Sequence, residues 1–185
     1  MSRDELAARL RERALLHGDF VLRSGRRSSV YFDKYRFETD PELLEPVAEG
    51  LAGLIDRHAA AFDLLAGPEL GAVPLVTALG LRLRTPFLLV RSRVKEYGTG
   101  LGVEGVFSAG QRALLVEDVV TSGGAALAAV ETLRAAGLEV ADAVVVLDRE
   151  EGGAAAFASA GVRLHALFAR ADLGLGAVPE TAKGP

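Results

Sequence analysis

Residues 114–124 read Leu-Leu-Val-Glu-Asp-Val-Val-Thr-Ser-Gly-Gly, and an alanine-rich segment follows them. The apolar run indicates a buried strand, and residues 125–136 indicate a helix that Gly137 ends. The loop between them offers the exposed backbone N–H groups and the dipole of a helix start, which suit a phosphate dianion. Glycine lets the backbone approach the phosphate closely, and the hydroxyls of Thr121 and Ser122 can also donate hydrogen bonds. The stretch therefore predicts a phosphate-binding loop at the carboxyl end of a strand.

Two adjacent carboxylates, Glu117 and Asp118, stand immediately before that loop. Because carboxylates repel a phosphate, their presence requires a ligand that also has hydrogen-bond donors. A sugar with vicinal hydroxyls donates to both carboxylates while its phosphate lies in the loop, and a pentose 5-phosphate fits this spacing. The alternative is an ordinary turn between strand and helix in which Ser122 caps the helix. The loop has neither the Gly-Lys-Ser/Thr ending of a nucleoside-triphosphatase nor the glycine spacing of a dinucleotide fold.

Apolar segments of strand length alternate with segments of helical periodicity on both sides of this stretch. Predicted strands cover residues 62–66, 86–90, 113–116, 140–147 and 162–168, with a short one at Val106–Phe107. Predicted helices cover a segment that begins at Ala72, then residues 125–136 and 154–160. This alternation favours an α/β fold with a central, mostly parallel sheet flanked by helices on both faces.

The N-terminal part has a different pattern. Residues 4–16 have helical spacing, and a predicted hairpin follows over residues 20–32. A second helix is predicted over residues 40–57, with its first residue as the cap and Pro41 in the first turn. Pro46 leaves a second possibility open, namely that the regular helix begins only there.

The chain has 185 residues, half of them apolar, a formal net charge of −4 and no cysteine. This composition predicts one globular domain. The order of the predicted elements divides it into an N-terminal helix-hairpin segment (1–38), here called the hood, a core (39–174) and a loose tail (175–185). The lack of cysteine excludes disulfides, thiol catalysis and cysteine-ligated zinc, and the histidines lack ligand spacing. The negative charge argues against a nucleic-acid partner. No apolar stretch suits a signal peptide or a membrane span, so we expect a cytoplasmic protein with no membrane partner.

The basic residues are unevenly distributed between the two types. Of the 21 basic residues, only Lys34, Lys95 and Lys183 are lysines. In such an arginine-rich chain, a retained lysine hints that an arginine would not serve at that position, because the two cations differ in shape and hydration.

The succession of an apolar strand, two acidic residues, two apolar residues and Thr-x-Gly resembles the signature of the type I phosphoribosyltransferases. The resemblance implies 5-phosphoribosyl 1-pyrophosphate (PRPP) as a substrate and Mg²⁺ as the cofactor, held mainly by the pyrophosphate and the ribose hydroxyls. It also implies that Glu117 and Asp118 take the ribose hydroxyls and lie in the magnesium shell without ligating the metal directly. The implied PRPP-binding segment comprises Glu117, Asp118, Val119, Val120, Thr121, Ser122, Gly123, Gly124 and Ala125, of which Thr121 to Ala125 hold the 5-phosphate.

A polar, glycine-rich segment, residues 91–100, resembles the mobile loop of the orotate phosphoribosyltransferases within that family. Arg91, Lys95 and Tyr97 match the family pattern and are implied to bind pyrophosphate, whereas Ser92 stands where a lysine is expected. A closing lid has a chemical reason, because water would capture the oxocarbenium-like transition state. The cations Arg91 and Lys95 would stabilise negative charge that develops on the leaving pyrophosphate. The alternative interpretation of the segment is a solvent-exposed hairpin with a few charged residues. The predicted catalytic residues are Lys95, Arg91, Asp118 and Glu117.

Two further segments resemble parts of the orotate phosphoribosyltransferases that contact the base. Residues 20–28 resemble their N-terminal hairpin, in which Arg23 takes the position of a basic residue near the base. Residues 146–152 resemble their Asp-Arg-x-x-Gly segment, whose arginine is Arg149. Orotate carries a carboxylate, so a guanidinium beside the base is the expected partner. We predict Thr121, Arg149 and Arg23 as orotate-binding residues; the alternative for each arginine is a solvated surface position.

The resemblance extends from about His17 to Gly153, and residues 67–74 resemble the loop that faces pyrophosphate. It implies transfer of the 5-phosphoribosyl group from PRPP to orotate, giving orotidine 5′-phosphate and pyrophosphate in pyrimidine and UMP biosynthesis. It also implies a homodimer in which the mobile loop of one subunit serves the site of the other. Two alternatives stay open: a phosphoribosyltransferase for another base, and a non-catalytic regulator that senses phosphoribose, for which Ser92 leaves room.

Overall fold

The computed structural model describes residues 1–21, 25, 27–92 and 102–176. The helices are α1 (Arg3–Ala14), α2 (Tyr35–Glu38), α3 (Pro41–His58), α4 (Ala72–Leu83), α5 (Gly124–Ala135) and α6 (Gly153–Ser159). The strands are β1 (Leu15–Val21), β2 (Arg27–Phe32), β3 (Leu64–Pro68), β4 (Phe87–Val90), β5 (Val103–Glu104), β6 (Ala113–Val120), β7 (Asp142–Asp148) and β8 (Arg163–Ala169), and a 3₁₀ turn follows at Ala171–Leu173. No helix in these ranges combines the length and the apolarity needed to cross a membrane.

The central sheet has six strands in the order β5-β4-β3-β6-β7-β8. Neighbours from β4 to β8 are parallel, and the short β5 runs antiparallel to β4. The predicted α/β fold with a mostly parallel sheet is therefore confirmed. From β3 the chain winds outward to β4, and from β6 it winds the other way to β7 and β8. Ligands of such sheets bind at the carboxyl ends of the strands where the winding reverses, here between β3 and β6.

Side chains of the central strands alternate between two apolar layers. Val116 and Val144 belong to the layer formed with α1, α3 and α4, whereas Leu115 and Val145 belong to the layer formed with α5 and α6. All four side chains are fully buried, and each such burial stabilises the fold by about 2 kcal/mol relative to exposure. The layers on both faces therefore fix the strand ends from which the functional loops leave.

The N-terminal segment forms the predicted helix and hairpin, but the helix ends at Ala14 and β1 already begins at Leu15, so the hairpin is longer than predicted. Ser2 and Glu5 form a capping box at the start of α1, with the Ser2 hydroxyl accepting from the Glu5 N–H. β1 and β2 pair antiparallel. The fully buried Leu10 and Phe37 attach α1 and α2 to the core. This packing brings the residues just before α2 close to the central sheet.

The helix α3 begins at Pro41 and contains Pro46, so the later start at Pro46 is wrong. The Asp40 carboxylate caps the helix by accepting the Glu42 N–H at 3.1 Å. A buried apolar stripe then runs through the proline without a break, because Leu43 before it and the apolar residues after it pack on the same layer. Packing therefore outweighs the one backbone donor that the proline lacks.

Two strand predictions need correction. Val106–Phe107 is not a strand; β5 lies earlier, at Val103–Glu104, and Gly105 with φ of +131° turns the chain away, leaving Val106 exposed. The strand predicted over residues 113–116 is longer, because β7 pairs with β6 as far as Val120. The acidic pair therefore lies inside a hydrogen-bonded strand, where the sheet fixes its backbone.

Candidate active site

Three loops meet where the winding of the sheet reverses, because β6 pairs with both β3 and β7. They comprise residues 69–71 after β3, residues 121–123 after β6 and residues 149–152 after β7. The predicted phosphate loop and Arg149 thus share one edge of the sheet with the loop expected to face pyrophosphate.

The acidic pair is buried at this edge, and Asp118 has a partner that the sequence did not identify. Asp118 Oδ2 accepts a hydrogen bond from Lys34 Nζ at 2.5 Å, and Asp118 Oδ1 accepts from the Val119 N–H at 2.5 Å. Burial lowers the pKa of Lys34, but the Asp118 carboxylate outweighs it, so the pKa lies above its ordinary value. Lys34 is therefore a firm cation inside the site.

The other two carboxyl groups at this edge bind protons more tightly than usual. Burial and the neighbouring Asp118 charge raise the pKa of Glu117 to about 8, although its Oε1 accepts the Asp118 N–H at 3.0 Å. The same two causes raise the pKa of Glu38 to about 8. No donor from the described residues reaches either carboxyl oxygen of Glu38, so the protonated form, which can donate to Asp118, is favoured. The cluster can thus both donate hydrogen bonds to hydroxyl groups and accept them.

The loop after β3 packs directly on this cluster. A Cβ at Gly71 would collide with the Asp118 carboxylate and the Lys34 amino group. Only a residue without a side chain fits between them, which explains why the loop can approach the acidic pair so closely. One residue earlier in the same loop, the Glu69–Leu70 peptide bond is cis.

Ser92, which stands where the family pattern has a lysine, connects the start of the predicted lid to the same loop. Its N–H and its hydroxyl both donate to Glu69 Oε1, each at 2.9 Å. Arg91 lies 3.9 Å from the Glu69 carboxylate and 3.5 Å from that of Glu104. The departure from the family pattern at Ser92 therefore has a structural role, and Arg91 stands half-buried at the rim of the site.

The predicted phosphate loop leads into α5 as the sequence indicated. Gly123 is the N-cap, with φ of +84°, and no side chain of the described residues caps the helix. The alternative in which Ser122 caps α5 is therefore wrong. Ser122, Gly124 and Ala125 are exposed, and Thr121 is half-buried. The first turn of α5 thus leaves its backbone N–H groups open to an anion.

Arg149 lies at the end of β7, next to the phosphate loop. Its N–H donates to the Val120 carbonyl at 2.9 Å, and its Nη2 lies 3.0 Å from Glu151 Oε1. A Cβ at Gly153 would collide with the Val120 side chain and the Thr121 carbonyl, so the two loops pack without a side chain between them. The guanidinium of Arg149 is therefore fixed near the loop rather than free in solvent.

Arg23, Lys95 and Tyr97 lie outside the described residues. Their roles stay predictions. Lys34 and Glu38 were missed, and a signal existed for Lys34 alone, as one of three lysines in an arginine-rich chain.

A magnesium ion fits this site only with help from its substrate. The described residues contain no group of three or more His, Cys, Asp or Glu side chains that could hold a metal. Mg²⁺ sites of substrate phosphates use one or two carboxylates and fill the remaining positions with water and phosphate oxygens. Glu117 and Asp118 could hold such a substrate-bound metal through its water shell.

Comparison with known proteins identifies the family. The family model of the phosphoribosyl transferase domain matches residues 37–158. The orotate phosphoribosyltransferase of Methanopyrus kandleri is 45% identical over 186 residues, covering 100% of this chain and 99% of that protein. The crystal structure of the orotate phosphoribosyltransferase from Aeropyrum pernix has a TM-score of 0.82 and 37% identity, covering 93% of this chain and 99% of that one. A Mycobacterium tuberculosis orotate phosphoribosyltransferase in complex with PRPP has a TM-score of 0.77 and 30% identity, covering 93% and 98%. The chain belongs to the phosphoribosyltransferase family and, within it, to the orotate phosphoribosyltransferases.

Proposed function

We propose that this protein transfers the 5-phosphoribosyl group of PRPP to orotate, giving orotidine 5′-phosphate and pyrophosphate in pyrimidine biosynthesis. The observation that carries the proposal is the buried acidic pair beside an uncapped helix start, at the point where the winding of the sheet reverses. Family membership supports the same reaction.

The ribose phosphate lies along β6 and its loop. The 5-phosphate accepts hydrogen bonds from the backbone N–H groups and hydroxyls of residues 121–125, since no side chain of the described residues competes for this helix start. The ribose hydroxyls donate to Asp118, and Glu117 accepts from or donates to them according to its protonation. Val119 and Val120 contribute the backbone that links the acidic pair to the loop.

The pyrophosphate faces the loop after β3, close to Lys34 and Arg91. Lys95 and Tyr97 bind it from the lid, and Arg91 binds it from the rim. When bound to PRPP, Mg²⁺ neutralises pyrophosphate charge and so makes this group a better leaving group. Glu117 and Asp118 would hold that metal through its outer shell, where it would supply charge neutralisation.

Orotate lies between Arg149 and the hood. Arg149 and Arg23 pair with the anionic base, and Thr121 borders it from the phosphate loop. Catalysis consists of positioning and electrostatic stabilisation of an oxocarbenium-like transition state, without a covalent intermediate. The hood (1–38) and the lid exclude water from this state.

The protein acts as a homodimer in which the lid of one subunit closes over the site of the other. Support comes from the family resemblance of residues 91–100. A mixed dimer of Lys95→Ala and Asp118→Asn subunits tests this arrangement. Partial recovery of turnover relative to either parent variant supports the shared lid, and no recovery contradicts it.

A panel of bases tests the reaction. With PRPP and Mg²⁺, we expect pyrophosphate release with orotate and none with hypoxanthine or adenine; the reverse pattern would favour a different phosphoribosyltransferase. Thermal stabilisation by PRPP without pyrophosphate release with any base would favour a phosphoribose sensor.

A further inference from the structure

A single carboxylate oxygen joins Arg149 to a second arginine. Glu151 Oε1 lies 3.0 Å from Arg149 Nη2 and 3.0 Å from Arg170 Nη1. Side-chain exposure falls from 20% for Arg149 and Glu151 to 7% for Arg170. Such buried, charge-assisted contacts restrict side-chain rotation more than exposed pairs do.

Arg170 is itself anchored by the chain that follows it. It stands directly after β8, its Nε donates to the Gly176 carbonyl at 2.6 Å, and its Nη2 donates to the Leu175 carbonyl at 3.0 Å. The guanidinium thus has a fixed position, from which it holds Glu151.

The backbone around Arg149 is shaped for this contact. Asp148 Oδ1 accepts the Glu150 N–H at 2.8 Å, and Glu150 has φ of +55°. Non-glycine residues adopt this left-handed conformation at a cost of about 1 kcal/mol or more, so surrounding contacts must stabilise it. The turn brings Glu151 against the side chain of Arg149.

The charges of the three groups explain why a second arginine is needed. Arg149 and Glu151 alone would form a neutral pair with little attraction for an anionic base. Arg170 gives Glu151 a second cationic partner, so the Glu151 charge is shared and Arg149 keeps more attraction for the orotate carboxylate.

We propose that Arg170 and Glu151 are positioning residues for the base. Glu151 orients the Arg149 guanidinium, and Arg170 fixes Glu151 and shares its charge, so that Arg149 stays available to orotate. The inference rests on the proposed function of Arg149. If so, the segment after β8, from Arg170 to Gly176, contributes to recognition of the base.

The test is steady-state kinetics on Arg170→Met, which removes the charge but keeps a long side chain. We expect the KM for orotate to rise about tenfold, which corresponds to about 1.4 kcal/mol. The KM for PRPP should stay within about twofold. Arg170→Lys, which keeps the charge, should recover part of the orotate affinity.

Arg163→Met is the matched control, because Arg163 begins β8, the strand that Arg170 follows, and pairs with Asp142 at the opposite edge of the sheet. We expect unchanged KM values in that variant. A purely structural role for Arg170 would lower stability and the active fraction without a selective change in the KM for orotate. In the Arg149→Met background, Arg170→Met should add less than about twofold to the KM for orotate.

An unchanged KM for orotate in Arg170→Met overturns the inference while leaving the proposed function intact, provided that the wild type consumes orotate. A wild type that does not consume orotate overturns both. If Arg170→Met does not fold, Glu151→Gln replaces it: a raised KM for orotate with an unchanged KM for PRPP supports the inference, and an unchanged KM for orotate overturns it.

Discussion

Asp142 lies buried at the amino-terminal edge of the sheet, and Glu117 and Asp118 lie buried at the carboxyl edge. Asp142 accepts hydrogen bonds from Arg163 at 2.7 and 2.8 Å, contacts His165 at 2.8 Å and accepts the Ala60 N–H at 3.1 Å. Burial raises the pKa of Asp142, but these partners outweigh it, so the pKa lies below its ordinary value.

At the carboxyl edge, burial has a larger effect on the pKa of the carboxyl groups than their hydrogen-bond partners have. Burial raises the pKa of Glu117 and of Glu38 to about 8, and the partners present do not compensate. Burial therefore determines the protonation tendency at the carboxyl edge, whereas hydrogen-bond partners determine it at the amino-terminal edge. At the amino-terminal edge, the Asp142 carboxylate stabilises the fold. At the carboxyl edge, the carboxyl groups of Glu117 and Glu38 stay available to a ligand.

The largest expected effect is on turnover when the acidic pair is changed. Asp118→Asn removes the anionic acceptor for the ribose hydroxyls, and we expect kcat/KM to fall roughly 100-fold. Steady-state rates at saturating orotate measure it. Denaturant titration measures any loss of stability separately, and wild-type turnover in this variant would remove Asp118 from the mechanism.

The matched substitution at the amino-terminal edge, Asp142→Asn, should lower stability and leave turnover unchanged. Asp142→Asn leaves Arg163 and His165 without their anionic partner and should lower the free energy of unfolding by about 1.5 kcal/mol, because Arg163 is largely exposed. Denaturant titration measures this loss, while kcat below the unfolding transition should stay at the wild-type value. A fall in kcat of the folded variant would contradict the assignment of Asp142 to stability rather than to catalysis.

The two edges should also give opposite pH dependences of stability. Glu38 has a pKa of about 8 in the folded protein against an ordinary value of 4.5, so the folded state binds its proton more tightly. Stability should fall as pH rises from 4.5 to about 8, by at most about 1.4 kcal/mol per pH unit for one group. Glu38→Gln should flatten this slope, as measured by urea unfolding at several pH values. The same slope in both proteins would mean that Glu38 does not bind the proton.

At low pH, Asp142 at the amino-terminal edge determines how stability depends on pH. The lowered pKa of Asp142 means that its contribution is present above pH 3.8 and is lost as pH falls below that value. Asp142→Asn should be less sensitive to acid than the wild type.

The smallest expected effect concerns Lys34. Lys34→Met leaves the Asp118 carboxylate without the cation that holds it in place and so weakens ribose binding. We expect the KM for PRPP to rise about tenfold, since each 1.4 kcal/mol is tenfold. Arg36→Met is the control, because Arg36 is an exposed neighbour on α2. Equal KM values for both variants and the wild type would show that Lys34 has no part in PRPP binding.

The sequence predicted those parts of the molecule that depend on local pattern. The start of β6, the loop and α5 follow from the succession of apolar, acidic and glycine residues over a short stretch, although β6 continues to Val120 through pairing with β7. The Lys34–Asp118 contact joins residues 84 positions apart, and no local pattern contains it. At Val106 and Phe107 a local pattern was misleading. Their apolar side chains predict a strand, but the turn at Gly105 prevents it.

The most direct test follows orotate absorbance after PRPP and Mg²⁺ are added to the wild-type protein. We predict a fall that is proportional to the PRPP added, with one pyrophosphate released for each orotate consumed. Constant orotate absorbance, with pyrophosphate released in the presence of another base instead, would contradict the account.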